Sequence, residues 1–414
     1  MKNTVWQFAT SANLKFGRGC RRLVGEHLKR YSVERALVVT DLNVAATSPV
    51  KRWLEELAQS LPIAIFDQCR AEPSLELAQQ ACQFGAVADV DAVIGVGGGS
   101  NLDVAKVVAT VLRHGGEPSD YFGFDRVPGP VLPLFAMPTT AGTGSEVSHS
   151  AVLTDIARGV KVSTLSSWLR PWIAFVDPEL TDSCPRSVTA HSGIDALVHA
   201  IEAYSNRDFT EMVDVDPQAR AYEGSFSLTR LLALEAIRLI AGALVLAVEQ
   251  PNNMAARDAM ALAATLAGMA FSNSGVGIVH ALEYPVGALT HCGHGEGNGL
   301  LLPHVMRYNL DACRQQYEQI GLALASGSAA ELGHDSQSRA SGEGRAAFSA
   351  ELAIARVEGL LHTIGIRRRL RDLGLSAQDI PVVAERAFEI KRLMDVNRRT
   401  PSCQDLQSIL TAAF

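Results

Sequence analysis

The sequence predicts an α/β domain built on a parallel sheet over residues 1–185, followed by an all-helical domain over residues 186–414. Three observations carry that prediction. Short apolar runs alternate with segments of helical spacing through the first half, as they do where helices cover a parallel sheet. Strand-like runs almost cease after CPRSVTA at 184–190, where Ala/Leu-rich helical segments take over. The chain has 414 residues, more than one core accommodates at about 100–200 residues per domain.

The elements follow in order. RALVVTD (35–41) is an apolar run ending in a polar residue, as a buried parallel strand does. SPVKRWLEELAQSL (48–61) has helical spacing, PIAIFD (62–67) is strand-like, and LELAQQACQFGAVA (75–88) is helical. DAVIGVGGGS (91–100) is a strand running into glycines, and LDVAKVVATVL (102–112) continues as a helix. LPLFAMPTT (132–140) and WIAFVDP (172–178) supply two more strands. In the second half ALVHAIEAY, LLALEAIRLIAGALVLAV (231–248) and AARDAMALAATLAGMAF (255–271) read as helices. Glu235 and Arg238 interrupt the 231–248 segment, which reads as a buried helix, too short and too charged to span a membrane. The small, polar stretch at 325–347 reads as a surface loop or insertion.

Composition narrows the function. With 47% hydrophobic and 20% charged residues, the chain can bury an ordinary core without disulfide or metal staples. A net charge of −7 gives no basic surface for nucleic acid or for an anionic membrane. The seven cysteines are scattered, odd in number and without a Cys-x-x-Cys pair, which fits reduced thiols in the cytoplasm. The N-terminal MKNTVWQFATSANLKFGRG lacks the apolar stretch of a signal peptide.

Two loops carry the first chemical signal. In VGGGSNLDVAK (96–106), glycines between a strand and a helix let backbone N–H groups and a helix N-terminus approach a phosphate. Ser100 can cap that helix, with Asp103 reaching back to it. A tight, well-capped turn is the plainer alternative, because the loop is not G-x-G-x-x-G. PTTAGTGSE (138–146) offers many small donors without bulk, which suits a nucleotide, although an ordinary loop reads the same way. Both loops leave the carboxyl ends of strands, where open α/β sheets bind ligands. Asp41, ending its strand, can accept from a ribose and repel a 2′-phosphate, favouring NAD.

GIDALVHAIEAY (193–204) carries the second signal. Asp195 and His199 lie one helical turn apart, on one face. Alone, such a pair describes a surface contact or a satisfied core histidine equally well. His280, in FSNSGVGIVHALEY, and His294, in HCGHGEGNGLLLPH, belong to the same helical half. One carboxylate and three imidazoles suit Fe²⁺ or Zn²⁺ and disfavour Mg²⁺ or Ca²⁺. They also leave a coordination position for substrate. His291 can line a cleft nearby, while Cys292 and His304 read as packing.

LKFGRG (14–19), GGGSNLDVAK, PTTAGTGSE, FVDPEL (175–180), GIDALVHAIEAY and the paired histidine segments, in this order, resemble the iron-containing (group III) alcohol dehydrogenases. That resemblance implies a dehydroquinate-synthase-like fold: a Rossmann-like parallel-sheet domain before an all-helical metal-binding domain. It places Asp195, His199, His280 and His294 on metal-ligand positions and Gly98, Gly99 and Ser100 on the pyrophosphate loop, with Asp103 beside them. Thr139, Thr140, Thr143, Val152 and Lys161 fall on cofactor-lining positions, and Asp41 on the position that favours NAD. Three departures stand out. Tyr284 replaces a histidine that many members carry four residues after the third ligand, so Tyr284 or His291 would have to relay the proton. Glu72-Pro73-Ser74 replaces Asn-Pro-Thr near the adenine. DPQARAYEGSFSLTR (216–230) is longer than in the simplest members.

The implied activity is interconversion of a small primary alcohol and its aldehyde by hydride transfer, with NAD(H) and Fe²⁺ or Zn²⁺, in a cytoplasmic homodimer or higher homo-oligomer. The departures also resemble the branch of hydroxyacid–oxoacid transhydrogenases, whose hydride passes from a 4-hydroxy acid to a 2-oxo acid with NAD kept bound. A non-redox lyase on the same fold resembles a Glu-plus-two-His design instead. A binding protein without catalysis is the remaining alternative.

Overall fold

The structure, a computed structural model, describes residues 3–213, 220–327 and 349–414. The expected insertion at 325–347 lies outside the described residues from 328 onward, as do residues 216–219 of the long 216–230 segment. The chain divides into two units, one of Phe8–Cys184 and the other of Pro185–Phe414 joined by the N-terminal residues up to Gln7.

The first unit contains β1 (Asn13–Phe16), β2 (Ala36–Val39), β3 (Ile63–Phe66), β4 (Ala92–Gly97), β5 (Gly123–Phe124), β6 (Leu134–Pro138), β7 (Ser150–Asp155), β8 (Val160–Leu165) and β9 (Ile173–Val176). Its helices are α1 (Val24–Arg30), α2 (Leu42–Ala46), α3 (Ser48–Ala58), α4 (Leu75–Val87) and α5 (Gly99–His114). Six strands form one parallel sheet in the order β1-β9-β6-β4-β2-β3. β2 and β4 are buried at every residue, which is why they read as continuous apolar runs rather than as alternating ones. Their side chains still alternate between two faces. Leu37, Val39 and Val93 pack with Val104 and Val108 of α5, while Ala36, Val38, Ile94 and Val96 pack with Trp53 and Leu57 of α3.

A second, three-stranded sheet runs β5-β8-β7, with β7 and β8 antiparallel. It is absent from the sequence expectation. Of β7, only Ala151 and Leu153 are buried, so its apolar content is that of a half-exposed hairpin and not of a central strand.

The second unit contains α6 (Arg186–Ser205), α7 (Ser227–Glu249), α8 (Met254–Ser274), α9 (Ile278–Thr290), α10 (His294–Asn309), α11 (Arg314–Ser326), α12 (Ala350–Ile364), α13 (Ile380–Phe388), α14 (Lys391–Val396) and α15 (Cys403–Ala413). Residues 3–7 differ from the expected division at 185/186, which assigns them to the α/β domain. Trp6 stacks on Phe226 with ring centroids 4.3 Å apart and 14° between planes. Stacking of the half-exposed Trp6 on the buried Phe226 ring ties the segment to the helical unit.

The 231–248 reading needs correction too. Helix α7 has 23 residues and, by length and composition alone, is long and apolar enough to cross a membrane. It nonetheless buries Ala233, Ala236, Ile237, Ile240, Ala243, Leu244 and Ala247, the face of a helix packed within a protein. Glu235 and Arg238 pair with each other at 2.6 Å on its more exposed side.

Candidate functional site

Three helices bring the candidate metal ligands together. Asp195 and His199 stand one turn apart on α6. Helices α8 and α9 are bent by 104° at their break, across Gly275-Val276-Gly277, and His280 lies in the first turn of α9. Asn206 holds that bend by donating from Nδ2 to the carbonyls of Ser274 (3.2 Å) and Gly275 (2.8 Å). Glu202 holds it from the other side, accepting the Val279 N–H at 2.8 Å. Helix α9 runs to Thr290 with His291 as its C-cap, and His294 opens α10.

The glycines of HGEGNG set how closely α10 approaches. A Cβ on Gly295 would collide with the His191 carbonyl and lie 3.0 Å from the Asp195 Cβ. One turn on, a Cβ on Gly299 would lie 3.0 Å from Ile194. On another side, a Cβ on Gly297 would lie 2.9 Å from the Glu283 Cγ. Glycine at these points lets the backbone of α10 lie against α6, which aims His294 at Asp195.

Asp195, His280 and His294 converge, each offering one ligand atom within 4.8 Å of the others. The Nε2 atoms of both histidines lie 3.9 Å from the Asp195 Oδ1. Their Nδ1 atoms face buried carboxylates: Glu202 at 2.6 Å from His280, and Glu283 against His294. A carboxylate can only accept, so each Nδ1 carries the hydrogen and each Nε2 turns a lone pair to the centre. At that centre the Asn298 Nδ2 donates to the Asp195 Oδ1 at 2.8 Å and lies 3.2 Å from each Nε2. Three acceptors aimed at one positive dipole fit a divalent cation, and the O/N/N donor set is that of a borderline metal.

His199 joins differently. Its Nδ1 is 3.9 Å from the other oxygen of Asp195. Its ring is sandwiched between Phe271 (4.2 Å) and His280 (4.7 Å). Burial pushes the Asp195 carboxyl up, but positive charge on His199, His294 and His280 when they are protonated, together with the Asn298 hydrogen bond, outweighs it and holds the group below the usual carboxylate range. Tyr284 presents its ring 6.0 Å from that of His294. His291 ends α9 with φ +54° and is exposed. Cys292 is buried beside Glu283, within reach of the Gly297 backbone. His304 is half-buried on α10.

The two candidate nucleotide loops are built in the first unit. Gly97 adopts φ +147°, and a Cβ there would collide with the Asn101 side chain. Gly98 caps α5 by position, with no side-chain cap. The expected Ser100 cap is therefore a correction: Ser100 sits inside the first turn of α5, because the helix begins at Gly99. Asp103 does not reach back to it either. Its carboxylate accepts from the Ser145 Oγ (2.7 Å) and the Val152 N–H (3.0 Å).

The two loops touch. A Cβ on Gly99 would lie 2.7 Å from the Thr143 methyl, and one on Gly98 would lie 3.6 Å from Thr140. Thr139 donates its N–H to the Gly97 carbonyl at 3.0 Å. Beneath them Lys106, 1% exposed, donates to the Ser145 Oγ (2.8 Å), the Ser148 Oγ (3.0 Å) and the Ser150 carbonyl (2.7 Å). Burial lowers its ammonium to about 8.

Asp41 is engaged twice. One carboxylate oxygen caps α2 by accepting from Asn43 and Val44, and the other accepts from the Asn101 amide at 2.9 Å. Lys161 pairs with Glu72 at 3.1 Å. Glu72, Pro73 and Ser74 border a cavity of about 310 Å³ shared with Gln68, Arg70 and Ile156.

Four residues important to this geometry were not singled out by the sequence reasoning: Lys106, Glu202, Glu283 and Asn298. A signal existed for three of them. His199-x-x-Glu202 and His280-x-x-Glu283 repeat one spacing, and Asn298 stands one helical turn after His294.

Comparisons with known proteins identify the family. Residues 11–178 match the family model for iron-containing alcohol dehydrogenase, and residues 221–414 match that for the C-terminal part of the Fe-containing alcohol dehydrogenase family. The NAD-dependent methanol dehydrogenase of Bacillus methanolicus is 34% identical over 399 residues, covering 96% of this chain and 97% of that protein. The 1,3-propanediol dehydrogenase of Klebsiella pneumoniae is 34% identical over 406 residues, covering 96% of both. A crystal structure of 1,3-propanediol oxidoreductase superposes with a TM-score of 0.87 at 32% identity, over 99% of this chain and 100% of that one.

Proposed function

The chain belongs to the iron-containing alcohol dehydrogenase family, and we propose that Asp195, His199, His280 and His294 hold its divalent cation while the loops of the α/β unit hold NAD(H). It is an oxidoreductase that interconverts an alcohol and its aldehyde with NAD(H) and a metal ion. The observation that carries the site assignment is the convergence of Asp195 Oδ1 and the His280 and His294 Nε2 atoms, with both imidazoles locked from behind by carboxylates.

When bound, the cation supplies Lewis acidity to the substrate oxygen, and the nicotinamide exchanges the hydride. The chain's own residues do the rest. Asp195 and the imidazoles present the ligand atoms, and Glu202 and Glu283 orient the two rings they hold. The α5 N-terminus and the Gly97–Gly99 backbone receive the pyrophosphate. Thr139, Thr140 and Thr143 supply small donors beside it, held in place by Asp103, Ser145 and Lys106. Asp41 sits where a ribose hydroxyl can be recognised and a 2′-phosphate repelled. Val152 and Lys161 line the same site on the small sheet. Tyr284, whose ring faces His294, is the better placed proton relay. His291, exposed at the α9 terminus, is the alternative.

The relatives named above act on methanol and on 1,3-propanediol, which favours a small alcohol or diol as substrate. We assign the chain to a reducing compartment such as the cytoplasm, where its seven cysteines would stay as thiols. We assign the working form as a homodimer or higher oligomer. The transhydrogenase alternative finds no support in these relatives.

The test is NADH oxidation by metal-reconstituted protein over a panel of small aldehydes, with Fe²⁺ and Zn²⁺ supplied separately. Turnover on one group is expected, and His280→Ala or His294→Ala should lose bound metal and turnover together. Activity that survives either substitution would overturn the ligand assignment.

A further inference from the structure

We infer that Glu202 and Glu283 are positioning residues that set how tightly the cation is held, each serving the histidine of the next ligand-bearing helix rather than the one on its own. The inference rests on the cation reading above and goes beyond it. Both carboxylates follow a ligand histidine by three residues, yet neither holds that histidine. Glu202 of α6 binds the His280 Nδ1 of α9, and Glu283 of α9 binds the His294 Nδ1 of α10. The three helices are thereby tied in series at the point where their ligands meet.

Glu202 is committed at both oxygens: one takes the Val279 N–H at 2.8 Å and the other takes His280 at 2.6 Å. It fixes the entry of α9 and the ring it carries with a single side chain. Glu283 is 0% exposed, and its place exists because Gly297 has no side chain. A Cβ on Gly297 would lie 2.9 Å from the Glu283 Cγ and 3.4 Å from its Oε1. A carboxylate buried this deeply is unfavourable for folding and would be better replaced by an apolar group if packing were its task. Accepting the Nδ1 hydrogen gives it another task. It locks the ring orientation, leaves the Nε2 lone pair toward the centre and strengthens that nitrogen as a donor.

The test uses the full chain stripped of metal and titrated with Co²⁺ against a competing chelator, reading both the dissociation constant and the visible absorption bands of the bound ion. Glu202→Gln and Glu283→Gln keep the side-chain volume and remove the charge. Each should weaken Co²⁺ binding by about 10–100-fold and shift the absorption bands. Gly297→Ala reaches the same point without touching the carboxylate's charge. By displacing Glu283 it should weaken binding as well. A purely structural role would lower the melting temperature of the metal-free protein and leave the affinity and bands of the folded fraction unchanged. Wild-type affinity and bands in Glu283→Gln and Gly297→Ala would overturn the role of Glu283, and the same in Glu202→Gln that of Glu202. The cation reading fails separately, if wild type binds no stoichiometric Co²⁺ or if Asp195→Ala binds it as wild type does.

Discussion

Asp41, proposed for cofactor recognition, also serves the fold. One of its oxygens caps α2 and the other accepts from Asn101, so removing it outright confounds two effects. Loss of such a cap costs about 0.5–2 kcal/mol. Asp41→Ser keeps a capping oxygen and removes the charge. It should therefore raise the use of NADPH relative to NADH, read as the ratio of kcat/KM for the two cofactors. An unchanged ratio would take Asp41 out of cofactor selection. Tyr284 poses a simpler question. If its hydroxyl relays a proton, Tyr284→Phe should lower kcat while bound metal stays stoichiometric, and a wild-type kcat would leave the ring as packing against His294.

Among the elements, α5 carries the most. It presents its N-terminus to the glycine loop, and it sends Asp103 and Lys106 under the second loop. Lys106→Met would leave the Ser145 and Ser148 hydroxyls and the Ser150 carbonyl short of their donor. An unmet buried polar group costs about 1–3 kcal/mol. We expect a folded chain with weaker NADH binding by fluorescence titration, and unaltered affinity would detach Lys106 from the loop's geometry. The sign of a pH effect follows as well. Burial takes the Lys106 ammonium down to about 8 from its ordinary 10.5, so the folded chain releases that proton first. The contribution of Lys106 to stability therefore rises between those two values. Chemical denaturation across that window should show a rising component in wild type that Lys106→Met lacks, and parallel profiles would refute it.

Elements also show what was legible in the sequence. β2 and β4 were plain, because a buried parallel strand is an unbroken apolar run. The glycine loop was plain as a loop but misread at its cap: Ser100 looked like the cap because serine usually is one, whereas a helix starting at Gly99 places it inside the first turn. The β7–β8 hairpin was hidden by its half-exposed pattern. Asp195 and His199 were legible through helical spacing. Glu202 and Glu283 leave a trace in the repeated His-x-x-Glu spacing, but their partners do not, since each acts on a histidine of another helix and spacing along one helix cannot show a bond between two.

At the scale of the whole chain, each unit has its own core and its own proposed ligand, which makes the assignment testable without turnover. A ligand that binds only the folded form stabilises it by RT ln(1 + [L]/Kd), about 2.7 kcal/mol at a hundredfold excess over Kd. Local opening is suppressed first in the segments that touch the ligand. In amide hydrogen exchange on the metal-free chain, Zn²⁺ should slow exchange around Asp195 in α6, at the 275–280 bend and in the first turns of α10. These are the places where Glu202, Asn206 and Asn298 already tie the helices together. NADH should instead slow exchange at 97–103 and 139–152, the two loops joined by Gly99, Thr143 and Asp103. If Zn²⁺ protects the glycine loop and leaves α6, α9 and α10 untouched, the metal does not sit among Asp195, His280 and His294. If NADH protects neither loop, the nucleotide is held by residues other than those assigned here.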